Sequence, residues 1–168
     1  MKKIICVLFF VTIIFLGFQK QESIVIPKES IRFRLIANSN SVEDQALKKT
    51  IKEELETVVV KNLTTTNINT TDDSIKSSLS IIDDVMQKYN VNYDISYGNN
   101  YFPEKDYKGI TYPAGNYKSL VITLGKGTGD NWWCVLFPPL CLLETNKNTE
   151  DVEYQFYVKE ILNKISNQ

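Results

Sequence analysis

YPAGNYKSLVITLGKGTGDNWWCVLFPPLC, residues 112–141, places two apolar runs either side of a loop punctuated by glycines, and the pairing of those runs decides the fold. Tyr117 to Leu124 reads as one strand, and Trp132 to Leu136 is a continuous apolar run that suits an inner strand. The Gly125 to Asn131 loop is expected to join them as a hairpin. Left exposed, Trp132, Trp133, Phe137 and Leu140 would invite aggregation, so a core or a partner must cover them. Strand alternation sends Trp132 and Trp133 to opposite faces, so at most one need meet a partner; the competing reading is that one or both fill the core.

The Gly125-Lys126-Gly127-Thr128-Gly129 loop invites comparison with phosphate-binding turns, whose backbone amides cradle anions. Such loops run from a strand into a helix and close on Gly-Lys-Ser/Thr, whereas here Gly127 follows Lys126 and the chain returns to a strand at Trp132. A flexible loop tip fits better than a nucleotide site.

Cys134 and Cys141 enclose Val135 to Leu140, and Pro138 and Pro139, with φ already restricted, pre-shape that loop. In an exported protein the pair reads as a disulfide, worth about 2.5 kcal/mol on the chain-entropy estimate for a loop of roughly eight residues. The competing reading is two reduced, buried thiols.

Upstream, SIRFRLIA (30–37) alternates Ile31, Phe33 and Leu35 with Arg32 and Arg34, the pattern of a half-buried strand with two cations on one face. Ser41-Val-Glu-Asp44 resembles a capping box, and Leu47, Ile51, Leu55 and Val58 recur at helical spacing to about Lys61. The Thr-Asn tract from Thr64 to Thr71 breaks the pattern. Thr71 or Asp72 can cap a second helix, with Ile75, Leu79, Ile82, Met86 and Tyr89 as an apolar stripe that packs a core and needs no cofactor. From Val91 the period changes to two through Tyr93, Ile95 and Tyr97, until Gly98-Asn99-Asn100 signals a turn. Downstream, Val152, Phe156, Val158, Ile161, Leu162 and Ile165 predict a C-terminal helix over residues 151–165. The expected fold is α+β: a strand, two helices, a mainly antiparallel sheet of three or four strands, and a helix.

At the N-terminus, Lys2 and Lys3 precede an apolar run from Ile4 to Phe18, the charged start and apolar core of a secretory signal. As a helix the run would cover roughly 22 Å, short of the roughly 30 Å hydrocarbon core of a bilayer. Residues 1–20 therefore read as a signal segment in transient membrane contact, and residues 21–168 as a single exported domain. No Ala-x-Ala precedes a cut; Gly17 would take the minus-three position if cleavage followed Gln19, and a retained anchor is the alternative. Cys6 reads as a small apolar residue within the run.

Removing Lys2 and Lys3 from the 19 basic residues leaves 17 against 20 acidic ones, a formal charge of −3. With no basic stripe, nucleic acid is not an expected partner. The chain has no histidine. That excludes Ser-His-Asp and Cys-His catalysis, His-ligated zinc and a histidine pH switch, and no metal or cofactor is expected.

IRFRLIANSNSVEDQALK, from Ile31 to Lys48, and the 112–141 stretch, with YFPEKDYKGITYPAGNY running into it, resemble the stage II sporulation protein R family of endospore-forming bacteria. The middle from Ile51 to Tyr89 resembles it in pattern only. The resemblance implies a signalling protein that is not an enzyme: made in the forespore, exported, and acting in the space between forespore and mother cell. There it would trigger a membrane-embedded aspartic protease of the mother cell, which removes the pro-sequence of the sigma factor E precursor.

Two segments are candidates for recognition. One comprises Gly125, Gly127, Gly129, Asp130, Asn131, Trp132 and Trp133, with Phe137, Pro138, Pro139 and Leu140, since tryptophan is the commonest interface hot spot. The other is a polar cluster of Arg32 and Arg34 beside Asn38, Ser39, Asp44 and Gln45; its competing reading is local architecture, with an arginine paired to Asp44. A second function class is a cell-wall glycan binder or hydrolase using Glu104, Asp106 and Asp130 with a tryptophan platform.

Overall fold

The computed structural model describes residues 24–63, 68–138, 140–141 and 151–166. Among them the elements run β1 (Ile24–Val25), β2 (Ile31–Ile36), α1 (Val42–Leu63), α2 (Ile68–Met86), β3 (Tyr93–Phe102), β4 (Lys105–Tyr107), β5 (Ile110–Tyr112), β6 (Gly115–Leu124), β7 (Asn131–Phe137) and α3 (Asp151–Ser166). The fold is α+β, as expected. The segment expected to be a signal, residues 1–20, lies outside the described residues.

The main sheet has the order β3-β6-β2-β7. Two of its pairings, β3 with β6 and β2 with β7, are antiparallel, while β2 and β6 run parallel at its centre. The hairpin expected at Gly125 to Asn131 is therefore absent: β2 is inserted between β6 and β7, and the loop crosses over its C-terminal end. For the same reason β7, read as an inner strand, is an edge strand. Its continuous apolar character comes from burial on both faces, not from a neighbour on each side.

Alternation sorts the side chains of the sheet. Ile31, Phe33 and Leu35 of β2 join Leu120, Ile122 and Leu124 of β6 and Cys134 and Leu136 of β7 in a core closed by Ile51, Leu55 and Val59 of α1 and Ile75, Ile82 and Met86 of α2. Behind Val135, on the other face, a smaller core of Ile24, Ile26, Ile110, Leu140 and Val158 lies beneath a second sheet of order β1-β5-β4. This small sheet has no strong period in the sequence, because its strands have only two or three residues each. α3 coincides with the helix expected over 151–165.

Two boundaries differ from the local signals. Gly98-Asn99-Asn100 is no turn but the middle of β3, paired with Ser119, Lys118 and Tyr117 of β6. A ten-residue partner strand outweighs the local turn preference, and Asn100 Nδ2 finds Ser119 Oγ at 3.0 Å. Thr71 and Asp72 do not cap α2, which begins at Ile68. Asp72 instead anchors that helix to the sheet, meeting Lys118 Nζ of β6 at 2.5 Å and Tyr97 Oη of β3 at 2.7 Å. Ser41 caps α1 as expected, its Oγ accepting from Asp44 N at 3.1 Å.

Candidate functional site

Where the loop crosses β2, the two candidate segments meet. Gly129 N donates to Ala37 O at 3.0 Å and Thr128 N to Asn38 O at 3.1 Å, continuing the backbone contact past the end of β2. Asn38 Oδ1 accepts from Lys126 N at 2.9 Å, and Asn40 Oδ1 accepts from Asp130 N at 2.7 Å. Lys48 of α1 closes the knot by donating to Asp130 O at 2.7 Å and to Gln45 Oε1 at 2.6 Å.

Asp44 sits within this knot. Its carboxylate accepts from Ser39 Oγ at 2.5 Å and Asn38 Nδ2 at 2.8 Å, and these hydrogen bonds, with that from Ser41, hold its pKa below the usual carboxylate value. Gln45 Nε2 donates to Ser39 O at 2.9 Å. Asn38, Ser39, Asp44, Gln45 and Asp130 thus form one bonded cluster tying the Ala37–Asn40 turn to the glycine loop.

The glycines follow from that approach. Gly125 has φ +53°, and a Cβ there would overlap Asn38 Oδ1; a Cβ on Gly129 would overlap the Ser39 carbonyl oxygen. The close backbone partner that the sequence leaves unidentified is the chain's own 37–39 segment.

Arg32 and Arg34 do not belong to this knot, and Asp44 pairs with neither. Arg32 is buried at 2% exposure, with its guanidinium carbon 3.4 Å from the centroid of the Tyr117 ring and its Nη2 donating to Pro113 O at 3.2 Å. Arg34 lies 4.8 Å from the centroid of Phe102. Burial lowers the pKa of both. The strand read as half-buried also has its second face covered in part, Arg32 fully and Arg34 partly, because Phe102 of β3 and Tyr117 of β6 roof its cations.

Trp132 and Trp133 do face opposite sides. Trp132 stands edge-to-face against Phe33 in the helix-side core, centroids 5.4 Å apart, and Trp133 against Phe102 on the other side at 5.4 Å. They form no joint platform of the kind stacked sugars use. Of the proposed carboxylates, Asp106 accepts from Thr111 Oγ1 in the β4–β5 hairpin, while Asp130 belongs to the polar knot. Among the described residues no cluster of His, Cys, Asp or Glu could hold a metal ion, and no helix is long and apolar enough to cross a membrane.

Cys134 and Cys141 are bridged, with Cα atoms 5.2 Å apart. The bridge folds the end of β7 back so that Phe137, Pro138 and Leu140 are all buried. These three serve packing; Pro139 lies outside the described residues.

A cleft of about 240 Å³ opens beside β7, lined by Asn131 to Val135 of that strand. Lys52 of α1 stands on one side of it, and Phe102, Lys105, Tyr107 and Tyr112 on the other. Sequence reading missed this cleft, because three of those residues lie on the short strands of the small sheet. Lys105 Nζ lies 5.2 Å from the Trp133 ring centroid, and Lys52 Nζ 4.6 Å from that of Trp132.

A family model described as stage II sporulation protein R (spore_II_R) matches residues 27–147, a span that contains the knot, the cleft and the disulfide. The chain is similar to the stage II sporulation protein R of Bacillus subtilis (strain 168), with 43% identity over 150 residues, covering 82% of this chain. The match takes in 65% of that relative's length, just under two thirds. No solved structure matches the chain.

Proposed function

Because the chain belongs to the stage II sporulation protein R family, we propose that it is an exported signalling protein that switches on a membrane-embedded aspartic protease from the space between forespore and mother cell. The protease then removes the pro-sequence of the sigma factor E precursor. The observation that carries this reading is the family match over residues 27–147. Supporting it are the signal-like N-terminus, a disulfide suited to an exported domain, and the absence of histidine from the chain. Recognition, not chemistry, is then the task of the domain.

The test is co-expression of this protein, the protease and the sigma precursor in a non-sporulating host. Precursor cleavage is expected only when all three are present and the protein is exported. Cleavage of equal extent without this protein, or none with it folded and exported, would refute the proposal.

A further inference from the structure

Arg32 is buried and Arg34 partly buried, and no carboxylate among the described residues meets either charge. Nε and Nη1 of Arg32, and Nε of Arg34, are buried without a hydrogen-bond partner. Stacking on Tyr117 and Phe102 offsets part of the desolvation, but an unpaired buried cation is costly and gains from an anion brought near it. The cleft beside β7 is where one can approach. Arg32 forms part of its wall and Lys105 reaches into it, while no acidic side chain lines it. Lys52, the third cation, is ion-paired with Glu56 of α1 at 3.3 Å, and Asp106 is turned to Thr111, so the uncompensated charge is that of Arg32 and Lys105.

The shape of the cleft says what kind of anion fits. It touches five consecutive residues of β7, including Trp132 and Trp133, which alternation sends to opposite faces of the strand. With Lys52 of α1 at one side of it and Lys105 of β4 at the other, the cleft lies alongside that strand. One edge of β7 pairs with β2, and among the described residues no strand pairs with the other. The cleft thus adjoins a strand edge that no described strand pairs, between Lys52 of α1 and the β4–β5 hairpin.

We propose that this groove binds an extended acidic peptide segment of a partner protein, which adds to β7 as a further strand and sets carboxylates against Lys105, over the charge of Arg32. The inference deepens the activator reading and rests on it for the partner's identity: the segment belongs to the protease. Until it arrives, the lysines beside the edge also deter pairing between copies of this chain.

The test uses the exported protein and three ten-residue peptides: one alternating glutamate with valine and tyrosine, its lysine counterpart, and the acidic peptide with prolines at alternate positions. The acidic peptide is expected to bind and to slow amide hydrogen exchange at residues 131–135, and Lys105→Glu is expected to weaken it at least tenfold. The lysine and proline peptides are expected to do neither. Equal binding of the lysine peptide, binding without protection of residues 131–135, or no binding of the acidic peptide overturns the proposal. So does binding confined to phosphatidylglycerol vesicles. In the co-expression host the two readings separate. Cleavage that Lys105→Glu leaves intact refutes the groove and spares the activator role; peptide binding without any triggered cleavage does the reverse.

Discussion

At Gly129 the limiting fact is the Ser39 carbonyl, which a Cβ would overlap, and neither atom belongs to a flexible side chain that could step aside. Gly129→Ala is therefore expected to cost about 1–3 kcal/mol, the usual range for overpacking. In a domain of this size that lowers Tm by roughly 2–12 °C. Gly98→Ala is the control: nothing lies within 4 Å of the added carbon, and the residue sits in a paired strand. Thermal unfolding of the two variants checks the contrast; equal shifts would show that the backbone contact at Gly129 carries no cost of its own. The pair also shows what a sequence hides at this scale. Both glycines stand among Asn, Thr and Ser in strings that read as turns, and only the insertion of β2 decides which one is pressed against another backbone.

Between elements, α2 is held to the sheet by hydrogen bonds from alternate tyrosines of β3. Tyr97 Oη donates to Asp72 at 2.7 Å and Tyr93 Oη to Asp83 at 2.8 Å, at opposite ends of the helix. Hydrogen bonds from Lys118, Lys76 and Tyr97 depress the Asp72 pKa far below its usual value, and burial together with Asp72 raises that of Tyr97. A depressed carboxylate stabilises the fold above its unfolded pKa of about 3.9, and that contribution is lost as pH falls through the lower, folded value. Asp72→Asn is accordingly expected to be less stable than wild type at pH 7, with the gap closing below about pH 4. Urea unfolding at pH 7, 5 and 3 measures it, and a gap that stays constant with pH would mean that packing, not charge, is lost. The period-two pattern of Tyr93, Ile95 and Tyr97 made β3 legible, and the 3.6-residue stripes did the same for α1 and α2. Strand order was not legible: a hairpin loop and a loop that crosses one inserted strand need the same glycines, and the choice rests on Ile31–Ile36 finding both β6 and β7.

For the whole molecule, the proposed role divides delivery by residues 1–20 from recognition by the rest of the chain. Among the described residues, the two cores, the polar knot and the cleft beside β7 draw on all seven strands and all three helices. The recognition residues read from the sequence resolve into three places: Asn38, Ser39, Asp44, Gln45 and Asp130 in the knot, Phe137, Pro138 and Leu140 in the packing beside the disulfide, and Arg32, Trp132 and Trp133 around the groove. The first two were legible as unusual strings but not as structural ones, because their partners are distant in sequence; Lys105 of the groove had no local signal at all. If the domain alone carries the signal, the apolar run from Ile4 to Phe18 serves only to deliver it. Replacing residues 1–20 by an unrelated cleavable signal is then expected to leave precursor cleavage at the wild-type level in the co-expression host. Normal secretion with cleavage reduced tenfold or more would instead assign the N-terminal run a part in activation, as an anchor that concentrates the domain at the membrane where the protease lies.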